Sequence, residues 1–326
     1  MTRIKFAIPK GSLEKATYEI LENAGYKIYG KGRTYRPTLN DPDIEVKILR
    51  PQEIPVIVSE GMADIGITGE DWILENDADV ETLINLEYGK IKIVLAVPKN
   101  LKSESMTDLL QEYAQNGRNL RISTEYLTLG SDYIMKNKFY SRKYGKKSPL
   151  MITPWWRKGD NPKVSLFLSF GATEAKPPED ADAIFDVIET GSTLDQNNLK
   201  VIETVMESSA VLIANKKALA NKGKREKIFD VLTLLKGVVD ARKKIHIFLN
   251  VKKDNLPKML KALPSLKGPT ISRLSTKGWY SVNTIVGKDE FLKLLPTIRR
   301  LSQGLVVHTP QQILPLEEIW ENESSN

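Results

Sequence analysis

The sequence predicts an α/β protein that carries a separate α+β module at its C-terminal end. Two observations predict it. As far as Lys224, short apolar runs alternate with helical patterns, the signature of a largely parallel sheet. Beyond Lys224 the texture changes to a helix followed by strand, helix, strand, helix, strand, a ferredoxin-like order.

The elements follow from the spacing of apolar residues. Ile4 to Ile8 is a strand; Leu13, Ala16, Ile20, Leu21 and Ala24 then recur at helical spacing, and Gly25 ends that helix. Val46 to Leu49 is the next strand, and Pro51 opens a helix containing Ile54, Ile57 and Val58. Ala63 to Thr68 is a third strand running into Gly69, a helix start with Asp71 in its first turn, where the helix dipole favours a carboxylate. Ile91 to Val97 is a fourth strand.

From about Pro98 the pattern restarts as a second lobe, with helix Met106 to Tyr113, strand Arg121 to Ser123 and helix Leu127 to Phe139. Tyr140 to Asn161 is rich in Lys, Pro, Gly and Trp without a clean period and reads as irregular. Val164 to Phe170 and Ala183 to Ile188 are strands of this lobe, and Ala210 to Ala214 carries the chain back to the first. The expected division is 1–97 with 195–224, then 98–194, then 225–326. The last part reads as helix Ile228 to Arg242, strand Lys244 to Val251, helix Leu256 to Leu263, strand Gly278 to Val286, helix Glu290 to Leu301 and strand Gly304 to Val307.

Composition narrows the chemistry. The 326 residues include no cysteine, which removes disulfides, thiolate nucleophiles and cysteine metal sites. Only two histidines occur, His246 and His308, so a histidine-rich metal site or a Ser-His-Asp triad has little to draw on. The stretch Phe6-Ala7-Ile8 is far shorter than a signal-peptide core of about seven residues. No apolar run approaches the roughly 18 residues that span a bilayer. A cytoplasmic protein without membrane insertion is expected. The formal charge of +7 suits nucleic acid or polyphosphorylated small molecules, but the basic residues are scattered and no aromatic-basic alternation suggests RNA.

The segment from Asp182 to Leu194 carries the most chemistry. On a strand, Asp182, Ile184 and Asp186 share a face, so both aspartates can project where the strand ends. The following turn, Thr190-Gly191-Ser192-Thr193, offers consecutive backbone amides, three hydroxyls and a glycine that permits close approach, a phosphate cradle. Carboxylates just upstream can hold ribose hydroxyls directly or through Mg²⁺. The alternative is an acidic strand end followed by a Ser/Thr helix cap. Two other stretches invite and resist assignment. Gly25 to Lys31 fits a P-loop spacing, but Gly32 replaces the required Ser/Thr and a helix precedes it. Trp155-Trp156-Arg157-Lys158 could stack bases, yet partly buried packing or a subunit contact is the preferred reading.

The same segment resembles the phosphoribosyl-pyrophosphate loop of ATP phosphoribosyltransferases, Asp-Ala-Ile-x-Asp-x-x-x-Thr-Gly-x-Thr-Leu. Four further stretches resemble that family in its order. They are Pro9-Lys10-Gly11-Ser12-Leu13, with Ser12 where Arg is usual; Arg50-Pro51 with Glu60 to Asp71; Arg121 to Tyr126; and Phe170-Gly171-Ala172-Thr173-Glu174, in the form of archaeal members. Pro269 to Ser272 and Gly278 to Val282 resemble the C-terminal domain of the long, allosteric form. The resemblance implies two lobes of periplasmic-binding-protein type (type II), a site between them, and a ferredoxin-like (ACT-like) regulatory domain that binds L-histidine.

It also implies a reaction. Adenine N1 of ATP displaces pyrophosphate from the anomeric carbon of phosphoribosyl pyrophosphate, the first step of histidine biosynthesis, through an oxocarbenium-like transition state. Positioning and stabilisation of charge on the leaving pyrophosphate carry such catalysis, with Mg²⁺ as cofactor held mainly by substrate phosphates and by Asp186 as a candidate ligand. Carried onto this chain, Glu189 to Thr193 grip the 5-phosphate, with Asp182 and Asp186 beside the ribose. Glu174 orients sugar or adenine, and Arg50 meets the leaving pyrophosphate. Lys10, Gly11, Ser12, Arg33, Gly69 and Asp71 are the candidates for ATP. Leu266, Thr270, Ile285 and Leu305 match positions near the histidine pocket, where Lys252 replaces an acid found in some members. A homo-oligomer, hexamer or dimer, is implied, with no nucleic acid and no membrane. The alternatives are a small-molecule sensor of the same fold, a phosphoribosyltransferase for another base and, from charge alone, an RNA-binding protein.

Overall fold

The structure, a computed structural model, describes residues 3–32, 34–188, 192–264 and 268–314. The chain divides into two compact units, one of Ile4–Ala16 with Val46–Asn221 and one of Thr17–Glu45 with Lys222 onward.

The chain begins with β1 (Ile4–Pro9), α1 (Glu14–Asn23), β2 (Ile28–Tyr29), β3 (Thr38–Leu39), β4 (Ile44–Leu49), α2 (Ile54–Ser59), β5 (Ile65–Gly69), α3 (Glu70–Glu75) and β6 (Glu81–Asn85). It continues through β7 (Ile91–Pro98), α4 (Met106–Gln115), β8 (Leu120–Thr124), α5 (Leu127–Lys136), α6 (Lys138–Tyr144), β9 (Pro149–Ile152), β10 (Arg157–Lys158), β11 (Asn161–Leu168), β12 (Ala183–Ile188), α7 (Ser192–Gln196), β13 (Leu199–Ser208) and β14 (Ala210–Ala214).

Two sheets result. The first has the order β4-β1-β5-β14-β6, with β1 parallel to β5 and β14 antiparallel to both its neighbours. The second has the order β10-β9-β11-β8-β12-β7-β13. Its four central strands β9, β11, β8 and β12 run parallel, so their carboxyl ends share one edge, where open α/β sheets bind ligands. β7, grouped by sequence with the first lobe, is hydrogen-bonded antiparallel to β12 in this second sheet. β13 and β14 are separated by Ser209 alone and so carry the chain from the second sheet to the first, as expected.

Burial explains the order of elements. Ile93, Leu95, Ile122, Leu166 and Phe185 from neighbouring strands meet Leu109, Leu110 and Ile134 of the covering helices in one core. Each such fully buried aliphatic side chain contributes roughly 1.5–3 kcal/mol. α4 starts at Ser105, whose hydroxyl accepts the Asp108 amide at 3.1 Å, a local N-cap.

The segment expected to be irregular is ordered, and the reason is long-range. Asn137 ends α5 and caps α6, its side chain accepting the amides of Phe139 and Tyr140 at 2.9 and 3.2 Å. The predicted single helix to Phe139 is therefore two. Tyr140 is fully buried; its hydroxyl donates to the Lys147 carbonyl at 2.8 Å and accepts from the Asn161 amide at 2.9 Å, pinning both ends of the segment.

The C-terminal part holds α8 (Lys216–Ala220), α9 (Lys222–Arg242), β15 (Lys244–Lys252), α10 (Leu256–Ala262), β16 (Thr270–Arg273), β17 (Trp279–Gly287), α11 (Lys288–Leu301) and β18 (Ser302–His308). The antiparallel sheet β16-β17-β15-β18 is ferredoxin-like. Ile245, Ile247, Leu249 and Val251 alternate inward onto Met259 and Ile298 of the two helices. β16 carries no apolar alternation, so residue spacing does not predict it. The fold class is thus α/β of the two-lobed periplasmic-binding-protein-like type, followed by a ferredoxin-like α+β domain. Among the described residues no helix is long and apolar enough to cross a membrane.

Candidate active site

Asp186 sits fourth in β12, level with the end of β8, and is buried. Its Oδ1 accepts the Val187 amide at 2.8 Å, and the Thr173 hydroxyl also bonds its carboxylate. Burial raises its pKa to about 6; the two hydrogen bonds oppose the rise, and the negative charges of Glu125 and Glu174 add to it. Glu125 follows β8 directly. Burial raises its pKa too, against the pull of the Gly171 amide it accepts.

These contacts come from one tight loop after β11. Gly171 (φ 83°) and Ala172 (φ 49°) are both left-handed, a conformation that costs an alanine roughly 1–2 kcal/mol. The double turn brings the Gly171 amide to Glu125 and the Thr173 hydroxyl to Asp186, and places Glu174 in the short 3₁₀ turn Thr173–Ala175. Sequence reasoning places Glu125 in a motif without a role; its position after a parallel strand is the signal that could have found it. Beneath Glu125 on the same face of β8, Ser123 Oγ is the one buried side-chain N or O atom without a hydrogen-bond partner among the described residues.

Asp182 does not join this cluster. It precedes β12, at the opposite end from Asp186, and accepts from Arg121 through the backbone amide (2.8 Å), Nε (3.2 Å) and Nη2 (3.1 Å). The expectation that both aspartates face the turn is therefore corrected: β12 is parallel to β8, and the register that sets Asp186 beside Glu125 sets Asp182 beside Arg121. Glu189, Thr190 and Gly191 lie outside the described residues, as does Arg33. Ser192 opens α7, and Thr193 in its first turn is exposed.

In the first sheet, Lys10, Gly11 and Ser12 follow β1, and Arg50 follows β4 beside them. The Lys10 amide donates to the Leu49 carbonyl at 2.7 Å, and Arg50 Nη1 lies 3.5 Å from where a Cβ on Gly11 would stand. Gly11 has φ 87°, so glycine suits both the turn and the guanidinium's approach. Arg50 is exposed.

Asp71 is buried between the lobes rather than open. Its Oδ1 accepts the Ser208 hydroxyl at 2.6 Å and its Oδ2 the Tyr126 hydroxyl at 2.7 Å. Trp72 stacks on the Tyr126 ring at 4.6 Å, and the Glu75 carboxylate accepts the Thr128 and Leu129 amides, both at 3.0 Å, at the start of α5. Burial and the neighbouring Asp71 charge push the Tyr126 phenol far up, so it stays a donor. Gly69 caps α3, and a Cβ there would stand 2.2 Å from Asp71 Oδ1.

The C-terminal candidates separate. Ile285 lies opposite His246 on the outer face of the sheet, whereas Leu305 lies opposite Leu249 and packs on the inner core. Thr270, opposite Asn283, begins the exposed β16; Leu266 lies outside the described residues. The expected single pocket is corrected accordingly, because alternate residues of a strand face opposite ways. Lys252 lies over the Trp279 ring at 5.5 Å.

The family model for ATP phosphoribosyltransferase matches residues 50–237, and that for the HisG C-terminal domain matches 241–309. The chain belongs to the ATP phosphoribosyltransferase family. The ATP phosphoribosyltransferase of Solibacter usitatus is 38% identical over 312 residues, covering 94% of this chain and 97% of that one. That of Thermodesulfovibrio yellowstonii is 36% identical over 318 residues, covering 96% and 98%. A solved structure, the ATP phosphoribosyl transferase (HisG:HisZ) complex from Thermotoga maritima, superposes with TM-score 0.54 at 24% identity, covering 73% of this chain and 98% of that one, and is similar in fold. As an ATP phosphoribosyltransferase the chain is an enzyme, a transferase of histidine biosynthesis that joins ATP to phosphoribosyl pyrophosphate.

Proposed function

We propose that this transfer is carried out between the five-stranded and the seven-stranded sheet, with 225–326 as a regulatory domain of the long form. The observation that carries the site assignment is Asp186: a buried carboxylate at the carboxyl end of a parallel strand, immediately upstream of Thr190-Gly191-Ser192-Thr193. The turn from Glu189 to Thr193 holds the 5-phosphate. Asp186 accepts the ribose hydroxyls and Glu174 orients sugar or adenine, while the charges of Glu125 and Glu174 raise the Asp186 pKa. Arg50, beside Gly11, stabilises the charge that grows on the leaving pyrophosphate, while Lys10 and Ser12 contact phosphates of ATP. Arg33 joins them as an ATP contact. Gly69 and Asp71 act by holding the lobes together at the edge of the cleft.

The carboxylate oxygens of Asp186 and its neighbours Glu125 and Glu174 are hard donors that suit Mg²⁺ carried mainly by the substrate phosphates, with Asp186 as a protein contact, where the ion would supply charge neutralisation. Cytoplasmic location and a homo-oligomer, dimer or hexamer, belong to the same reading. So does inhibition by L-histidine on the outer sheet face near Thr270 and Ile285. The Phe170–Glu174 form links the chain to archaeal members, although the relatives named above are bacterial.

The test is incubation with ATP, phosphoribosyl pyrophosphate and Mg²⁺, with release of pyrophosphate and the ultraviolet change of N1-substituted adenine as readouts. Arg50→Ala should depress kcat more than it weakens ATP binding. Release of pyrophosphate with another base but not with ATP would sink the proposal. Unchanged initial rate and thermal stability at saturating histidine would retire the effector role.

A further inference from the structure

Three aromatic side chains stand out in solvent beyond the carboxyl ends of β9 and β11: Trp155 is 73% exposed, Phe170 70% and Trp156 46%. Exposed aromatics grouped in this way are uncommon on a soluble surface and mark binding sites. They are also held in place. Thr153 Oγ1 accepts the amides of Trp155 (3.2 Å) and Trp156 (3.0 Å) and donates to the Trp156 carbonyl (3.1 Å), to which the Thr153 amide also donates at 2.9 Å, so the turn between β9 and β10 is closed by four bonds. The Ser169 hydroxyl donates to the Gly171 carbonyl at 2.9 Å, and the Ser169 amide to the Thr124 carbonyl at 2.8 Å, which fixes Phe170 between them. The rings of Trp155 and Phe170 meet edge to face, centroids 5.8 Å apart.

The place of this pair in the sheet is decisive. Phe170 immediately precedes Gly171, whose amide bonds Glu125, and stands three residues before Thr173, which bonds Asp186. The aromatic pair and the carboxylate cluster therefore lie on the same edge of four adjacent parallel strands, with β11 next to β8 and β8 next to β12. At about 4.8 Å per strand, Phe170 is on the order of 10 Å from Asp186, within the span of a nucleoside. Arg157 and Lys158, both exposed, follow the turn and add cationic donors. Flat apolar rings beside cations are the chemistry that takes a nucleotide: the rings stack on the base and the cations attract its phosphates. The exposure of Trp155 argues against packing within the chain, the first of the two expected readings, and is compatible with the second, a subunit contact.

We propose that Trp155 and Phe170 form a stacking platform for the purine ring of ATP on the rim of the second sheet, leaving the N1 edge turned toward Asp186. This rests on the transferase reading above and adds to it the residues that seat the base. The platform makes its contribution through the purine alone, so it acts on ATP and not on phosphoribosyl pyrophosphate.

The test compares the wild type with Trp155→Ala, Phe170→Ala, the double variant and Trp155→Phe. The alanine variants should raise KM for ATP about 5-fold or more, the lower end of base-on-aromatic stacking, with KM for phosphoribosyl pyrophosphate and the circular dichroism spectrum unchanged. Trp155→Phe keeps a ring and should restore KM for ATP while losing the ATP-dependent quench of tryptophan fluorescence. An unchanged KM for ATP in the double variant overturns the proposal, whether or not its subunit association changes. An equal rise in both KM values overturns it as well. If the wild type forms no N1-(5-phosphoribosyl)-ATP, the functional reading falls. The ATP quench and its loss in Trp155→Phe still decide the platform on their own.

Discussion

The Tyr126 hydroxyl donates to Oδ2 of Asp71 over 2.7 Å, and both residues are buried. The bond joins the start of α5, on the second sheet, to the first turn of α3, on the first, and Ser208 at the end of β13 closes the other carboxylate oxygen. Three chain segments far apart in sequence thus meet on one charge.

Tyr126→Phe leaves one oxygen of a buried carboxylate without its donor. The expected loss is about 1–3 kcal/mol of unfolding free energy, the cost of an unsatisfied buried polar group. Urea titration measures it. An unchanged midpoint would mean that water takes the donor's place and that the bond contributes nothing net.

Gly69→Ala acts on the same charge from the other side. The backbone there is ordinary for any residue (φ −78°), but the new methyl would stand 2.2 Å from Asp71 Oδ1. The carboxylate must swing away from Tyr126 and Ser208. The substitution is expected to destabilise at least as much as Tyr126→Phe, and the double variant to lose less than the sum of the two. Additive losses would show that the clash is relieved without moving Asp71.

The two aspartates of the Asp182–Asp186 stretch should separate in their effects. Asp182→Asn weakens three contacts from Arg121 to a buried carboxylate, so stability should fall by roughly 1–3 kcal/mol while activity per folded molecule is retained. Asp186→Asn should do the reverse, abolishing most of kcat/KM with the fold intact. Equal loss of activity in both variants would return Asp182 to the site.

The Asp186 carboxyl, with its usual pKa of 3.8 raised to about 6, carries a pH signature. Between those values the folded chain binds more protons than the unfolded one, so this group's contribution to stability falls as pH rises through that window. Asp186→Asn removes that loss and should be more stable than wild type at pH values above the window but not below it. The ionised form is the one that accepts ribose hydroxyls, so kcat/KM should have an acid limb near pH 6, matching the raised carboxyl. Glu125→Gln removes a negative neighbour and should move the limb to lower pH; a shift the other way, or none, excludes the coupling.

The sequence by itself determined the elements whose signal is local. Ile91 to Val97, Ala183 to Ile188 and the inward alternation of Ile245, Ile247, Leu249 and Val251 follow from residue spacing, which the chain fixes before any distant contact forms. Its motifs also determined the family, and with it the reaction. Tertiary structure decided what depends on partners far along the chain. Strand register gave Asp182 to Arg121 and Asp186 to the ligand end, although both share one face of the same strand. A hydroxyl buried 21 positions from Asn161 ordered a stretch that has no period of its own. The short β16 exists because β17 offers it an edge, and Trp155 faces solvent because the turn at Thr153 points it there. Periodicity reports which side of an element is apolar; only the assembled sheet fixes what stands opposite each residue.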